Sequence, residues 1–225
     1  MQGFALILRG FDFIRQFVEN ICFVVQSQKQ GSSQRTPDIA FSGTGWYDGE
    51  NGKAGGEKME RNDIYDARRN LTGRTHLRGT PWRDGEYGLV VCVWVHDGKG
   101  NLLLTRRAAE KSFPHTWENS GGAAKAGETS RQAIARELFE ETGIRADPES
   151  FVFIESGMDP NCHYDFYCLR REISLREIVL QPGETEAVQW ASFDRVHDLI
   201  REGKICKVIA QQFLRQEPFL RKQMK

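Results

Sequence analysis

Residues 122 to 144 read Gly-Ala-Ala-Lys-Ala-Gly-Glu-Thr-Ser-Arg-Gln-Ala-Ile-Ala-Arg-Glu-Leu-Phe-Glu-Glu-Thr-Gly-Ile, and they gather Glu128, Glu137, Glu140 and Glu141 around one short helix. Glu137, Glu140 and Glu141 stand at i, i+3 and i+4, so their side chains share a helix face. Carboxylates held that close repel one another unless something neutralises them. A hard divalent cation with oxygen ligands is the natural partner. Arg136, four residues before Glu140, can pair with it or with a neighbouring carboxylate. Alone, Glu-Leu-Phe-Glu-Glu reads as a solvated acidic face; the preceding Gly121-Gly122, Glu128 and Arg136 turn the reading towards a metal site.

The elements that must hold these glutamates are legible around them. Thr129 is a good N-cap, and Gln132 three residues on completes a capping box. Ile134, Leu138 and Ala135 give the helix a buried side. Gly143 supplies a left-handed stop, with apolar Ile144 beyond it. Gly121, Gly122 and Gly127 make the preceding loop permissive.

The stretch fits, without a mismatch, the pattern G-x5-E-x7-R-E-U-x-E-E-x-G-U, with U aliphatic. The chain therefore resembles the Nudix hydrolases, which cleave diphosphate linkages with Mg²⁺ or Mn²⁺. The resemblance implies an α/β fold, the Nudix-type α/β/α sandwich with a mixed sheet. It implies metal ligation by Glu128, Glu137, Glu140 and Glu141 and by a backbone carbonyl of the first glycines, Gly121 or Gly122. Arg136 and Glu137 then belong to the catalytic machinery, and the partner is a small-molecule diphosphate.

A second run, Leu103-Leu104-Thr105-Arg106-Arg107-Ala108-Ala109-Glu110-Lys111 followed by Phe113-Pro114-His115-Thr116-Trp117-Glu118-Asn119-Ser120, looks like the isopentenyl diphosphate isomerases, a branch of the same superfamily. That likeness implies that Arg107 and Lys111 hold the substrate diphosphate; the alternative is a strand end and a solvated loop. The isomerases carry a catalytic cysteine and a metal-binding histidine just after this run. Here those positions read Gly121, Gly122, Ala123 and Ala124, so the expectation is an isomerase-like hydrolase without isomerase chemistry.

Hydrolysis of a diphosphate needs positioning, charge neutralisation and a carboxylate that takes a proton from the attacking water. Glu184 and Glu186, in Pro182-Gly183-Glu184-Thr185-Glu186, are candidates for the base, with Glu186 favoured and Glu137 as the alternative. Trp82, Trp94, Trp117 and Trp190 could stack on a nucleobase, but core packing is the simpler reading. Trp117 is expected to anchor the loop before the motif and Trp190 to pack a strand. Nothing in the sequence selects a nucleoside triphosphate, nucleotide sugar, capped RNA or prenyl diphosphate. A non-catalytic ligand-binding module and a true isomerase are the alternatives, and the intact glutamate set argues against the first.

Around the motif the pattern is α/β. Strands are expected at Asp63 to Asp66, Leu89 to His96, Leu102 to Thr105, Phe151 to Glu155, Tyr164 to Arg170 and Ala187 to Ala191. Helices are expected over Phe193 to Arg201 and Ile205 to Phe213. The 225 residues suit one sizeable domain with appendages, and Lys plus Arg balances Asp plus Glu at 31 each. That balance gives no sign of bulk nucleic-acid binding or of a polybasic membrane anchor, and neither is expected. Five cysteines without CxxC spacing suggest reduced thiols and a cytoplasmic setting. Cys162 beside His163 reads as an incidental pair. No stretch has the length a membrane span needs, and a homodimer is compatible with the composition. Residues 27 to 58 are rich in Gly, Ser, Gln and Asn and read as poorly ordered. The domain is therefore expected over 59 to 225, after an N-terminal extension at 1 to 58. The Gly55 to Met59 codons can hold a purine-rich ribosome-binding sequence before an ATG, so a start at Met59 is expected. The alternative is an amphipathic N-terminal helix that docks on the domain or on a partner.

Overall fold

The computed structural model describes residues 60 to 159 and 161 to 224; the expectations for residues 1 to 58 lie outside them. Strands β1 (Arg61–Tyr65) and β2 (Leu71–Leu77) pair antiparallel as a separate hairpin. The main sheet holds β3 (Gly88–His96), β4 (Asn101–Arg107), β5 (Trp117–Glu118), β6 (Ser120–Ala123), β7 (Val152–Asp159), β8 (Cys162–Arg170) and β9 (Thr185–Ser192). Its β3 and β8 run parallel and its other pairs antiparallel, so it is mixed.

Helix α1 (Ser130–Thr142) covers one face of the sheet. There Val91, Val93 and Val95 of β3 pack with Ala133, Ile134 and Leu138. Helices α2 (Phe193–Arg201) and α3 (Lys207–Gln223) cover the other, where Trp94, Leu102 and Leu104 meet Val196, Leu199 and Phe213. This is the expected α/β/α sandwich, and the period-2 alternation along β3 is its cause: odd positions face α1, and Trp94 faces α2 and α3.

The local chemistry of α1 follows its sequence. Thr129 and Gln132 form the capping box, and Gly143 ends the helix at φ 73° with its N–H on the Phe139 carbonyl. Ala133 is fully buried and Ala135 only partly so, which rotates the apolar face by a residue from the expected one. Several elements depart from the sequence reading. Strands β2, β5 and β6 are additional, and α3 runs ten residues past Phe213, through Pro218.

What positions the site is a fork. Strand β4 pairs with β3 only next to their shared turn, at His96 and Leu102. Beyond it the two diverge, and residues 117 to 123 fill the gap, with β5 on β4 and β6 on β3. The β1–β2 hairpin is strapped to the loop before α1. Asn62 Nδ2 donates to the Ala124 carbonyl at 2.7 Å, and the Gly127 N–H donates to Asp63 Oδ2 at 2.7 Å.

Candidate active site at the sheet fork

Helix α1 lies over β6, and its glutamates face the fork. Arg136 is the hub. Its Nε and Nη2 reach the two oxygens of Glu128 at 2.7 and 2.9 Å, and its Nη1 reaches Glu137 at 2.7 Å and Glu140 at 2.9 Å. Nη2 also donates to the Ala123 carbonyl at 3.0 Å, which ties the hub to β6. Among the described residues no three His, Cys, Asp or Glu side chains converge as a closed metal site; the Arg136 guanidinium stands among Glu128, Glu137 and Glu140.

Glu141 stands apart from the hub. It is 9% exposed, its Oε2 is buried without a hydrogen-bond partner, and its carboxylate hydrogen-bonds to the Ser120 side chain. Burial pushes its carboxyl well above the usual range, and the fields of Glu118 and Glu137 push it further. Burial also raises Glu137, with Arg136 opposing. Burial acts in the same direction on Glu128, but Arg136 and the Lys125 N–H outweigh it and hold that carboxyl low.

The glycines explain the closeness of strand and helix. A side chain at Gly122 would overlap the Glu137 carboxylate, so that carboxylate rests against bare backbone. A side chain at Gly121 would overlap the Val91 carbonyl and come within 2.9 Å of Cys92 Sγ. A cysteine at position 121 therefore has no room in this fork. The orphaned buried oxygen of Glu141 and the carboxylate of Glu137 against bare Gly122 backbone belong to a hard-oxygen donor set, and this fits Mg²⁺ or Mn²⁺.

The basic residues fall differently from a simple phosphate grip. Arg107 is 6% exposed, and its guanidinium is spent on Glu118, at 2.7 and 2.9 Å, and on Ser112. Lys111 pairs with Glu184. Glu186 is exposed and pairs with His115 at 2.7 Å and Arg106 at 2.6 Å; the His115 hydrogen bond first, and then Arg106, hold its carboxyl low. The loops at 108–116 and 181–186 are thus zipped together rather than open to the fork.

Sequence reasoning missed Glu118. Burial raises its carboxyl despite Arg107, and its field reaches Glu141. Its only signal was its place three residues before the Gly-Gly pair, which a surface glutamate would share. Asn119 beside it is 3% exposed, with both amide atoms unpartnered. His163 lies buried on the Asp66 carbonyl at 2.8 Å, beside buried Cys162 and away from the fork. Trp117 packs on the α2–α3 side with its backbone tied to Lys204 and Cys206, and Trp190 packs on the α1 side with its Nε1 on the Ile173 carbonyl.

With this geometry, comparison with known proteins decides the family. The NUDIX domain model matches residues 86 to 210. The chain belongs to the Nudix hydrolases. It is 34% identical to an uncharacterized Nudix hydrolase of Listeria innocua, over 65% of this chain and 88% of that one. The crystal structure of DR0079 from Deinococcus radiodurans matches 69% of this chain and 98% of its own, with TM-score 0.59 and 25% identity. An isopentenyl-diphosphate Delta-isomerase of Corynebacterium diphtheriae is 46% identical over only 56 residues, 24% of this chain and 31% of that one. The Nudix hydrolase keeps the isomerase-like run but has glycine where the fork admits nothing larger.

Proposed function

We propose that this Nudix hydrolase cleaves the diphosphate linkage of a small organic diphosphate with the help of Mg²⁺ or Mn²⁺. The observation that carries the reading is Glu141. A buried carboxylate with an orphaned oxygen, in the fields of Glu118 and Glu137, is costly unless a cation completes it. Glu137, Glu140, Glu141 and Glu128 would hold the cation, with the Gly121 carbonyl as a backbone donor. When bound, the cation supplies charge neutralisation at the phosphates and acidifies water.

The chain's own residues do the rest. Arg136 keeps Glu128, Glu137 and Glu140 in register and stops them from splaying apart. Of the two base candidates, Glu137 has the better environment. Burial raises its proton affinity, whereas His115 and Arg106 lower that of Glu186. Lys111 would grip the substrate diphosphate by exchanging Glu184 for a phosphate oxygen, which leaves its charge paired.

The test is a panel of nucleoside diphosphate derivatives and prenyl diphosphates with Mg²⁺ or Mn²⁺, read by phosphate release and product mass. Glu137→Gln is expected to lower kcat by roughly 10²–10⁴ and Glu186→Gln by much less. The reverse order would return the base to the 181–186 loop. No turnover with any substrate and either metal would sink the hydrolase reading.

A further inference from the structure

We propose that Asp165 is a positioning residue for the acidic face of α1. Through Ser130 it fixes the first turn of that helix, and with it the direction in which Glu137, Glu140 and Glu141 face, while Arg69 of the β1–β2 turn holds Asp165 in place. The inference rests on the hydrolase reading above and adds to it residues that touch neither the cation nor the substrate.

Helix α1 needs such an anchor because its own charges work against it. Its first turn holds no acidic residue and its last turn no basic one, while Glu140 and Glu141 crowd its C-terminal end. A helix macrodipole favours the reverse arrangement. Arg136 offsets the repulsion among the carboxylates, but it leaves the N-terminal end unanswered within the helix. Asp165 of β8 answers it from outside. It is 2% exposed, and its Oδ2 accepts from Ser130 Oγ at 2.5 Å. Ser130 is the first residue of α1, and its Oγ also accepts from the Tyr167 hydroxyl at 2.8 Å. The Ser130 hydroxyl thus donates once and accepts once, which leaves it a single orientation. Because Arg69 pairs with the same carboxylate, the grip on Ser130 is a charge-assisted hydrogen bond more than a long-range field.

One face of β8 is given over to this grip. His163, Asp165 and Tyr167 alternate along the strand and so share a face, and all three are buried. His163 Nε2 donates to the Asp66 carbonyl at 2.8 Å, Asp165 takes both terminal nitrogens of Arg69 at 2.7 and 2.5 Å, and Tyr167 takes Ser130. The hairpin turn is built to deliver Arg69. Asp66 Oδ1 accepts the N–H groups of Arg68 and Asn70, each at 2.8 Å, and Arg69 between them stands at φ 66°. A residue with a side chain persists in the left-handed region only where its surroundings over-determine it, and such an outlier points to a role. The other end of the hairpin holds the loop before α1. The Arg61 carbonyl accepts from the Ala126 N–H at 2.8 Å, and Asp63 accepts from the Gly127 N–H at 2.7 Å. Glu128 therefore lies between a β1 strap on one side and the Ser130 anchor on the other. The hairpin that supplies the strap and Arg69 precedes residue 86, outside the stretch that matches the family.

Ser130→Ala cuts the link to α1 and leaves the Arg69–Asp165 pair intact, whereas Ser130→Thr keeps the hydroxyl. Two measurements on the full chain read the consequence: isothermal titration with MnCl₂, and amide hydrogen exchange across residues 128 to 141 in metal-free protein. Partners that orient a metal site from outside are worth about 10–100-fold in metal affinity. Ser130 acts on the helix rather than on a ligand, so Ser130→Ala is expected to weaken Mn²⁺ binding about tenfold, the lower end of that range. It is also expected to speed exchange along α1, and Ser130→Thr is expected to restore both. If circular dichroism shows Ser130→Ala to be unfolded, Arg69→Lys takes its place: it keeps the charge, loses the two-pronged grip and is expected to weaken Mn²⁺ binding about threefold. Wild-type Mn²⁺ affinity in the folded variant overturns the assignment, even where Tm falls, because a purely structural tie would then remain. A Ser130→Thr variant that behaves like Ser130→Ala overturns it too. Loss of the anchor's effect with Mn²⁺ binding and turnover intact leaves the hydrolase reading standing. A wild-type chain that binds no Mn²⁺ removes the hydrolase reading alone, and exchange then decides the anchor: faster in Ser130→Ala and restored in Ser130→Thr upholds it, and no difference overturns it.

Discussion

Glu141 illustrates how the fold sets one residue of a glutamate cluster apart from its neighbours. Its sequence position, four after Glu137, already placed it on the acidic face, but nothing in the sequence distinguished it from Glu140. The fold does, because Glu140 is paired with Arg136 and Lys125 while Glu141 is buried with one oxygen unpaired. A carboxyl whose pKa is raised by burial binds its proton more tightly folded than unfolded. In metal-free protein its contribution to stability therefore falls as pH rises from the ordinary carboxylate value towards the folded one. At neutral pH with EDTA, Glu141→Gln removes that cost and is expected to raise stability by of order 1 kcal/mol, or about 2–4 °C in Tm. Mg²⁺ or Mn²⁺ is expected to raise the wild-type Tm by mass action and to leave the variant almost unmoved. Equal metal shifts in both proteins would remove Glu141 from the ligand set.

The elements around the site divide between those that local sequence dictates and those that only pairing creates. Helix α1 was legible because its cap, its apolar positions and its terminal glycine all act within a few residues. Strand β6 was not, because Ser120-Gly121-Gly122-Ala123 has neither β-branched residues nor alternation; it is a strand only because β3 offers an open edge beyond the fork. Strand β2 carries Gly73 and five exposed residues in succession, so no periodic signal marked it. Helix α3 continues through Pro218, whose missing hydrogen bond would have gone to the carbonyl of Leu214, a residue half exposed to solvent. The Arg107–Glu118 pair is a similar case, since it clamps β4 to β5 on one arm of the fork and cannot be read from either strand alone. Arg107→Ala leaves Glu118 buried without its counter-charge and is expected to cost about 3–5 kcal/mol of stability. Urea unfolding measures this directly. A variant as stable as wild type with a raised KM would instead assign Arg107 to the substrate.

At the scale of the whole molecule, the sheet separates a chemical face from a structural one. The face under α1 carries the acidic hub, and the face under α2 and α3 holds the larger core with Trp94 at its centre. Gln216 of α3 joins that core to the sheet edge: it is 2% exposed, accepts from Trp94 Nε1 at 2.7 Å and donates to Glu155 of β7 at 2.5 Å. Glu155 is also gripped by Arg215, so one polar network fastens the long helix across β3, β8 and β7. Burial raises the Glu155 carboxyl, but Arg215 and Gln216 outweigh it and leave its pKa lowered. The network's contribution is therefore present above the unfolded carboxylate pKa and is lost as pH falls through the folded one. Gln216→Ala strands the buried Trp94 N–H and is expected to cost about 2–3 kcal/mol, roughly 4–12 °C in Tm at neutral pH. The variant should also lose less stability than wild type on acidification, because part of what acid removes is already gone. Steady-state kcat and KM at 25 °C should stay within about twofold of wild type, since the change lies across the sheet from α1 and distant sites act independently. A large fall in kcat without a fall in Tm would mean that the two faces are coupled through the sheet, where β3, β4 and β8 each carry residues of both clusters.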